Sequence, residues 1–376
     1  MSYDLVVHGG HVIDPANGID ERRDIAIADG LVSAVEPIVP LGDTREAIDA
    51  TGLFVVPGLV DLHVHVYWGV ADLSLRPGPN DLERGATTIV DAGSAGASTI
   101  GGFREYVIEP FAGRILAFLN ISGMGLIDVR LGENHDLRFL DPERAAQAVK
   151  ADPATIVGIK VRLIEGLAGP DAIEALERAI EAGDAAGVPV MAHIGESAAT
   201  TDQIMSRLRP DDIVTHAFTD RRNRIFDDRG RVHAAVLEAR RRGVRFDIGH
   251  GAGSFSFARG EAALADGFRP DTISSDLHVM NVDGPVHDLV TTLSKFLHLG
   301  LPLAEVIAMA TTAPADAIGR RGDFGTLSPG AIADVAILRL DDGDITLRDS
   351  LGVEVTARRR IRAESTIRAG RRVANT

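Results

Sequence analysis

Six ionisable side chains interrupt or end the apolar runs of this sequence. They are His63, His65, Lys160, His193, His216 and Asp276. Residues two apart on a strand lie on one face, so His63 and His65 are expected to point the same way. Taken singly, each residue is more typical of a core hydrogen bond or a helix cap. As a set, four imidazoles and a carboxylate suit zinc or a similar divalent ion, and they predict a metal site.

Lys160 is the unusual member of this set, because lysine is rare in the chain. Only three of its 39 basic residues are lysines. Arginine stays protonated, whereas a buried lysine can become a neutral amine. A neutral amine can react with carbon dioxide to form a carbamate, an anion whose two oxygens could bridge two metal ions. The alternative is a lysine whose stem is buried while its ammonium group reaches solvent.

The bulk composition limits the partners of the protein. A chain of 376 residues fits about two domains, or a large α/β barrel with an accessory piece. The net charge of −15 offers no basic face for nucleic acid, and the absence of cysteine excludes disulfides and thiolate ligands. Neither a secretory leader nor an apolar run of the ~20 residues that span a membrane is present. We expect a cytoplasmic protein that binds neither nucleic acid nor membrane.

Eight apolar runs of strand length occupy the middle of the chain, and helical patterns separate them. The runs are "LFVVPGLVDLHVHV", "TTIVDAGS", "RILAFLNIS", "TIVGIKVRLI", "VPVMAHIG", "DIVTHAF", "VRFDIGH" and "DTISSDLH". The segment from Gly169 to Gly187 is typical of an intervening helix, with Pro-Asp at its start and Gly after its end. This alternation predicts an α/β fold, a (β/α)8 TIM barrel, with an open doubly wound sheet as the alternative. In a barrel, polar groups at the strand ends meet at one mouth.

Both ends of the chain have the character of short strands. "YDLVVHGGHVID" resembles a hairpin that turns at Gly9-Gly10, and "RRDIAIADGLVSAVEP" one that turns at Asp29-Gly30. The last fifty residues are alike. We therefore predict a small composite β-sandwich domain formed from both termini (1–54 plus 321–376), with the barrel (55–320) inserted between them.

Several segments are similar to those of the amidohydrolase superfamily. They are "VVPGLVDLHVH", "GIKVR", "VMAHIGE", "VTHAF", "ISSDLH" and "GTLSPGAIADVAIL". The chain thus resembles, over nearly its whole length, metal-dependent hydrolases built on a (β/α)8 barrel.

The resemblance implies a binuclear site and a set of roles. His63 and His65 would bind the more buried metal with Asp276, and His193 and His216 the more exposed one. A carboxylated Lys160 and a hydroxide would bridge the two metals, and Asp276 would act as the general base. The implied cofactors are two divalent ions, with Zn2+ expected, and a CO2-derived carbamate on Lys160.

Differences between this sequence and individual members of the superfamily indicate which subgroup it resembles most. Tyr67 stands where dihydroorotase-like members carry arginine. Classical N-acyl-D-amino acid deacylases use a cysteine ligand, which this chain lacks. Adenosine and cytosine deaminase-like members lack the strand-four lysine, which disfavours a nucleobase deaminase. "HVHVYWG", "DAGSAGAS", "LNISGMGL" and "FDIGHGAGSFSF" are most similar to a deacetylase-like subgroup. This implies cleavage of an amide or ester bond in an N-acyl amino acid or acetylated 2-hydroxy acid. The alternatives are a cyclic amide hydrolase, like dihydroorotase or hydantoinase, and a barrel that has lost its chemistry and serves as an assembly partner.

Four further residues are predicted to contact the substrate, a small molecule that carries a carboxylate. Tyr67 could donate to a carbonyl or oxyanion. Arg162 could bind the substrate carboxylate, or form a structural ion pair instead. His250 could touch the leaving group, and His278 could order Asp276. We also expect the chain to form a homo-oligomer.

Overall fold

The structure is a computed structural model that describes residues 3–42, 44–78 and 80–374, with the side chain of Pro170 excepted. The described residues form seventeen strands. They are β1 (Tyr3–His8), β2 (His11–Asp14), β3 (Ile19–Arg22), β4 (Asp24–Ala28), β5 (Leu31–Glu36), β6 (Thr44–Asp49), β7 (Phe54–Pro57), β8 (Leu59–Val64), β9 (Ala86–Gly96), β10 (Arg114–Asn120), β11 (Ile156–Arg162), β12 (Val190–His193), β13 (Ile213–Thr215), β14 (Arg245–Phe246), β15 (Val335–Arg348), β16 (Glu354–Arg368) and β17 (Arg371–Arg372).

Ten α-helices lie among the same described residues. They are α1 (Ile100–Phe103), α2 (Pro142–Ala151), α3 (Glu165–Ala168), α4 (Ala172–Ala186), α5 (Thr201–Met205), α6 (Ala234–Arg242), α7 (Phe257–Ala265), α8 (Leu289–His298), α9 (Leu303–Ala308) and α10 (Thr312–Ala317). Within the parts of the chain that the structure describes, each helix is too short or too polar to cross a membrane.

The central sheet is parallel and follows the order of the chain. Its seven strands run from β8 to β14, each bonded to the next. Helix α4 follows β11 and precedes β12 in the chain, as the pattern from Gly169 to Gly187 predicts, and it packs against both strands. It ends where Gly187 adopts a left-handed φ of 70°. Parallel strands joined by helices place all carboxyl ends at one edge, where the site residues lie.

Residues 272–277 close the sheet into a barrel. The eighth predicted run is not a regular strand in the described chain, because it forms only isolated parallel bridges. Thr272 pairs with Asp247 beside β14, and Leu277 pairs with Val64 of β8. Two backbone hydrogen bonds complete this seam, the contact between β8 and residues 272–277. The amide of His65 donates to Leu277 O (3.0 Å), and the amide of Asp276 donates to His63 O (2.7 Å). Both edges of the sheet are thus bonded to one segment, which makes it an α/β barrel and contradicts the open-sheet alternative.

The first predicted run is two strands, not one. It breaks at Pro57-Gly58, so that β7 joins a sheet of terminal strands while β8 begins the barrel. Gly58 lies at the crossing, where a Cβ would come within 2.2 Å of Thr87 Oγ1. The close approach of Thr87 to the backbone requires glycine at position 58. This glycine marks the point where an apolar stretch that looked like one strand divides into two.

Strands from both ends of the chain share a sheet. The order β17-β16-β15-β7-β2-β3 joins the two ends, and a four-stranded sheet has the order β5-β4-β1-β6. The hairpin predicted at Asp29-Gly30 is confirmed as β4 and β5. The hairpin predicted at Gly9-Gly10 is wrong, because β1 pairs with β4 and β6 whereas β2 pairs with β3 and β7. The chain passes there from one sheet to the other.

A long hairpin carries the C-terminal segment to the barrel. Strands β15 and β16 pair along their length, and β16 packs on α8. At the tip, Ser350 N donates to Phe255 O (3.1 Å), and Asp349 accepts from Phe257 N (3.1 Å). The tip therefore touches the segment that follows the seventh barrel strand.

Candidate active site

Two histidines and one carboxylate converge at the carboxyl end of β8. The Nε2 atoms of His63 and His65 each lie 3.4 Å from Asp276 Oδ1. That oxygen is buried and has no hydrogen-bond partner in the part of the chain that the structure describes. A buried carboxylate oxygen without a proton donor is costly unless a cation fills the space beside it. The His63, His216 and Asp276 ligand atoms lie within 4.8 Å of one another and form a group that could hold a metal ion.

His193 and His216 form a second pair of facing imidazoles. His193 ends β12, His216 follows β13, and His193 Nδ1 lies 3.0 Å from His216 Nε2. His63 is next to this pair, because its ring centroid is 5.2 Å from that of His216. The six residues that the sequence singled out therefore do meet at one mouth of the barrel.

Partners behind the rings fix which nitrogen faces the site. Thr215 Oγ1 donates to Asp247 Oδ2 (2.7 Å) and accepts from His63 Nδ1 (2.9 Å). His216 Nδ1 donates to Gly249 O (2.7 Å), because a carbonyl can only accept. Each proton therefore sits on the outer nitrogen, and each Nε2 presents a lone pair to the site. Such outward bonds are what orients metal-binding histidines.

The imidazoles are held neutral by burial. Desolvation lowers the pKa of His65 to about 3 and that of His216 to about 4, and it holds the pKa values of His63 and His193 well below their usual range. Nearby cationic groups act in the same direction at His63 and His193. Neutral imidazole is the form that binds a metal.

Lys160 lies inside this cluster with no exposed surface. Its Nζ is 3.3 Å from His63 Nε2 and 3.4 Å from Met191 Sδ. Burial lowers its pKa from 10.5 to about 7, which outweighs the attraction of Asp276. Gly93 leaves room for the side chain, since a Cβ there would lie 2.7 Å from Lys160 Cγ. The alternative of a lysine that reaches solvent does not hold.

Two of the candidate ligands have a strained backbone. His216 and Asp276 adopt φ values of 71° and 48°, a left-handed conformation that costs a non-glycine residue about 1–3 kcal/mol. Residues in this region are concentrated at functional sites, where the surrounding structure holds them in place. Here the seam with β8 and the carbonyl of Gly249 supply that restraint.

Tyr67 and His278, two predicted substrate contacts, bond to the protein instead. The Tyr67 hydroxyl donates to Thr99 O (3.0 Å), so its proton is used by that carbonyl. His278 Nδ1 accepts from Met280 N (3.2 Å) in its own loop. The side chain that ties the Asp276 backbone is Asn281, whose Nδ2 donates to Asp276 O (2.7 Å).

Arg162 forms the ion pair that was its alternative interpretation. Its Nε and Nη2 atoms bind Glu133 Oε1 (2.6 Å) and Oε2 (2.9 Å), and both residues are buried. The charge of Glu133 raises the pKa of the guanidinium against the opposing effect of burial. A protein carboxylate therefore occupies the fork that was predicted to bind a substrate carboxylate.

His250 is a buried residue of the turn whose Gly249 carbonyl bonds to His216. It is completely buried and stacks on Phe255, with ring centroids 4.6 Å apart. Its Nε2 lies 2.6 Å from Lys295 Nζ. A direct contact with a leaving group, the predicted role, is not compatible with this position.

The sequence interpretation missed three buried carboxylates that hold the ligand strands. Asp61 accepts from Ser275 N (2.9 Å), Asp91 from Val66 N (2.9 Å), and Asp247 from the hydroxyls of Thr215, Thr272 and Ser274 (2.7 Å each). Burial raises the pKa of Asp61 to about 8 and also raises those of Asp91 and Asp247. Each lies within an apolar run, the same signal that singled out Lys160.

Comparison with known proteins gives the family. The amidohydrolase family matches residues 54–362, so the chain belongs to that family and is a hydrolase.

The relatives carry several activities. A deacetylase of Brucella anthropi is 39% identical over 336 residues, which are 89% of this chain and 83% of that protein. The crystal structure of an adenine deaminase has a TM-score of 0.93 at 32% identity and covers 100% of both chains. The crystal structure of a dihydroorotase has a TM-score of 0.89 at 34% identity, covering 99% of this chain and 98% of the other. The fold is thus shared among relatives with different names, and the residues of the site must decide between them.

Proposed function

We propose that this chain is a binuclear metal hydrolase that removes an acyl group from a small acylated acid. The substrate class is an N-acyl amino acid or an acetylated 2-hydroxy acid. The observation that carries the proposal is Asp276 Oδ1, which has no hydrogen-bond partner among the described residues and faces buried imidazoles beside a buried lysine whose pKa is lowered to about 7. The similarity to a deacetylase supports the choice of substrate class.

The residues suit two divalent ions. His63, His65 and Asp276 would hold one, His193 and His216 the other, and a carbamate on Lys160 would bind both. The carbamate forms when the neutral Nζ adds to carbon dioxide and loses a proton. When bound, such ions lower the pKa of a water molecule and polarise the carbonyl that is to be cleaved, as zinc does in many hydrolases.

Asp276 is placed to move the proton. Its Oδ1 faces the Nε2 atoms of His63 and His65, and the amides of His65 and Asp276 fix its backbone by donating to Leu277 O and His63 O. It would accept the proton of the attacking water and pass it to the leaving nitrogen or oxygen. The peptide carbonyl of Asp276 accepts from Asn281 Nδ2, so the backbone that carries the carboxylate is held in place.

Arg162 remains the candidate for the substrate carboxylate. Glu133 binds Nε and Nη2, so Nη1 is the nitrogen that would contact the ligand. Arg162 ends β11, where the charge of Asp276 also acts on its guanidinium, and Glu133 balances part of the positive charge. A substrate anion would therefore meet an oriented donor rather than a bare positive charge.

A panel of substrates tests the proposal. We expect the zinc-loaded protein to hydrolyse acetylated 2-hydroxy acids or N-acetyl amino acids with a higher kcat/KM than dihydroorotate, hydantoin or adenine. The dihydroorotase structure makes ring opening the second candidate, and the panel includes it for that reason. Turnover confined to the cyclic amides would favour that candidate, and turnover confined to adenine would contradict both.

We also propose the division into two domains. The two terminal sheets would form a composite β domain, predicted as 1–54 plus 321–376, around a barrel predicted as 55–320. Pairing of β15 with β7, and of β7 with β2, supports the composite. Strand β7 crosses the predicted border, and Gly58 is the better boundary. Residues 1, 2, 43, 375 and 376 of the β domain lie outside the described residues.

A further inference from the structure

Lys295 is a completely buried lysine outside the proposed ligand set. It lies on α8, and its Nζ is 2.6 Å from His250 Nε2 and 2.9 Å from Pro285 O. Asp288 at the start of α8 and Asp349 at the tip of the β15–β16 hairpin are the carboxylates whose charge acts on it. A buried amine carries a large desolvation cost, so its close contact with one imidazole needs a physical reason.

The contact fixes the tautomer of His250. Its Nδ1 lies 2.9 Å from Gly251 O, a carbonyl that can only accept, so Nδ1 carries the hydrogen. Nε2 is then a lone pair, and it accepts from Lys295 Nζ. Without this donor the other tautomer becomes available, and it would place an Nδ1 lone pair against the carbonyl oxygen. Lys295 therefore holds both the ring and the bond from the ring to Gly251.

The turn Gly249–Gly251 contacts two proposed metal ligands, one at each of its ends. Gly249 O accepts the His216 Nδ1 proton at 2.7 Å. Gly251 packs against Asp276, since a Cβ there would lie 2.4 Å from Asp276 Oδ2. The amides of His250 and Gly251 donate to residues 274 and 275 (3.1 and 3.0 Å), and Ser350 Oγ at the hairpin tip donates to Gly251 O (2.9 Å). A displaced turn would misalign ligands of both proposed ions.

We propose that Lys295 is a positioning residue for the metal centre, which acts through His250 to hold the Gly249–Gly251 turn against His216 and Asp276. The inference rests on the proposed function, because it requires that these two residues bind metal. Lys295 itself does not touch substrate or metal.

The test compares metal affinity in folded variants. Lys295→Met removes the donor. The double variant Lys295→Met/His250→Phe removes both polar partners and keeps an aromatic ring against Phe255, so it should fold even where the single variant does not. Lys150→Met, at an exposed lysine, is the matched control. Zinc dissociation constants come from chelator competition, the visible spectrum of the cobalt-loaded protein reports the ligand geometry, and circular dichroism verifies folding.

We expect the zinc dissociation constant of the more weakly held ion to rise about tenfold in both Lys295 variants, as for other partners that orient metal ligands. The rise in the dissociation constant should be the same in the single and the double variant, because both remove the restraint that Lys295 places on the turn through His250. The cobalt spectrum should change in both and stay as in wild type for Lys150→Met. Wild-type affinity and spectrum in the folded Lys295 variants would overturn the inference. A wild-type protein that takes up no zinc would instead contradict the proposed function.

Discussion

Two of the three lysines in this chain are completely buried, and they lie in different surroundings. Lys160 stands among the candidate metal ligands, whereas Lys295 stands on α8 and contacts His250, which follows the seventh barrel strand. Burial lowers the pKa of each from 10.5 to about 7. Each Nζ also faces a histidine Nε2. Burial and pKa alone would assign both the same role.

Their hydrogen bonds separate them. Lys295 Nζ has two good acceptors, an imidazole nitrogen at 2.6 Å and a carbonyl oxygen at 2.9 Å. Among the residues that the structure describes, Lys160 finds only an imidazole at 3.3 Å and a thioether, a weak acceptor, at 3.4 Å. Lys295 is thus satisfied as it stands, whereas Lys160 is buried with poor partners. This difference is why we propose the carbamate for Lys160 and a positioning role for Lys295.

The largest expected effect is the loss of the metal centre in Lys160→Ala. Without the bridging oxygens, zinc content and activity should both fall, with activity reduced by about a thousandfold or more, because the lost metals supply several kcal/mol of transition-state stabilisation. Metal analysis and the hydrolysis assay measure the two quantities.

A short carboxylic acid should partly rescue Lys160→Ala, because it supplies two oxygens in the space of the lost side chain. The exposed Lys150→Ala variant is the control, and it should keep full metal and activity. Full zinc content with unchanged turnover in Lys160→Ala would rule out a bridging role.

Arg162 is a third buried basic side chain, and it differs from the two lysines because a carboxylate, Glu133, binds it directly. Glu133→Gln leaves that guanidinium without its counter-ion, so we expect the free energy of unfolding to fall by about 3 kcal/mol. The matched control is Glu177→Gln, whose partner Arg207 is on the surface, and its cost should stay below about 1 kcal/mol. Urea denaturation measures both, and equal costs would show that burial of the Arg162 pair contributes nothing.

The smallest effect is the pH dependence of stability that comes from Lys295. Between its folded pKa of about 7 and its unfolded value of 10.5, the unfolded chain holds a proton that the folded protein lacks. Wild-type stability therefore gains with rising pH in this window, and below it both states are protonated and the full cost of burial remains. Lys295→Met removes this term.

Relative to Lys295→Met, the metal-free wild type should gain about 1 kcal/mol per pH unit as the pH rises from about 7 to about 9. Denaturation curves at several pH values give the difference, and Lys150→Met should keep the wild-type slope. If wild type and Lys295→Met respond to pH in parallel, Lys295 keeps its proton in the folded state.

The candidate ligands could be predicted from the sequence because each lies at the end of an apolar run. Parallel strands bring such ends together, whatever the details of packing. The helix ending at Gly187 and the hairpin at Asp29-Gly30 were predicted for a similar reason, since glycine at a left-handed position is a local signal.

The failures came from contacts between distant segments. Gly9-Gly10 looks like a turn, but β1 finds better partners in β4 and β6 than in β2. Arg162 ends its strand and Tyr67 and His250 follow theirs, but the groups that bind them lie 29 to 45 residues away. Spacing within a run shows on which face of the strand a residue lies, but it does not show which group from a distant segment contacts that residue.

The most direct measurement is a crystal structure of the protein grown with zinc and bicarbonate, with anomalous diffraction recorded at the zinc edge. The account predicts two anomalous peaks among the imidazoles of His63, His65, His193 and His216, and extra density for a carboxyl group on Lys160 Nζ. Lys295 Nζ should be unmodified and bonded to His250. A bare amine at Lys160, with no heavy scatterer beside Asp276, would contradict the account.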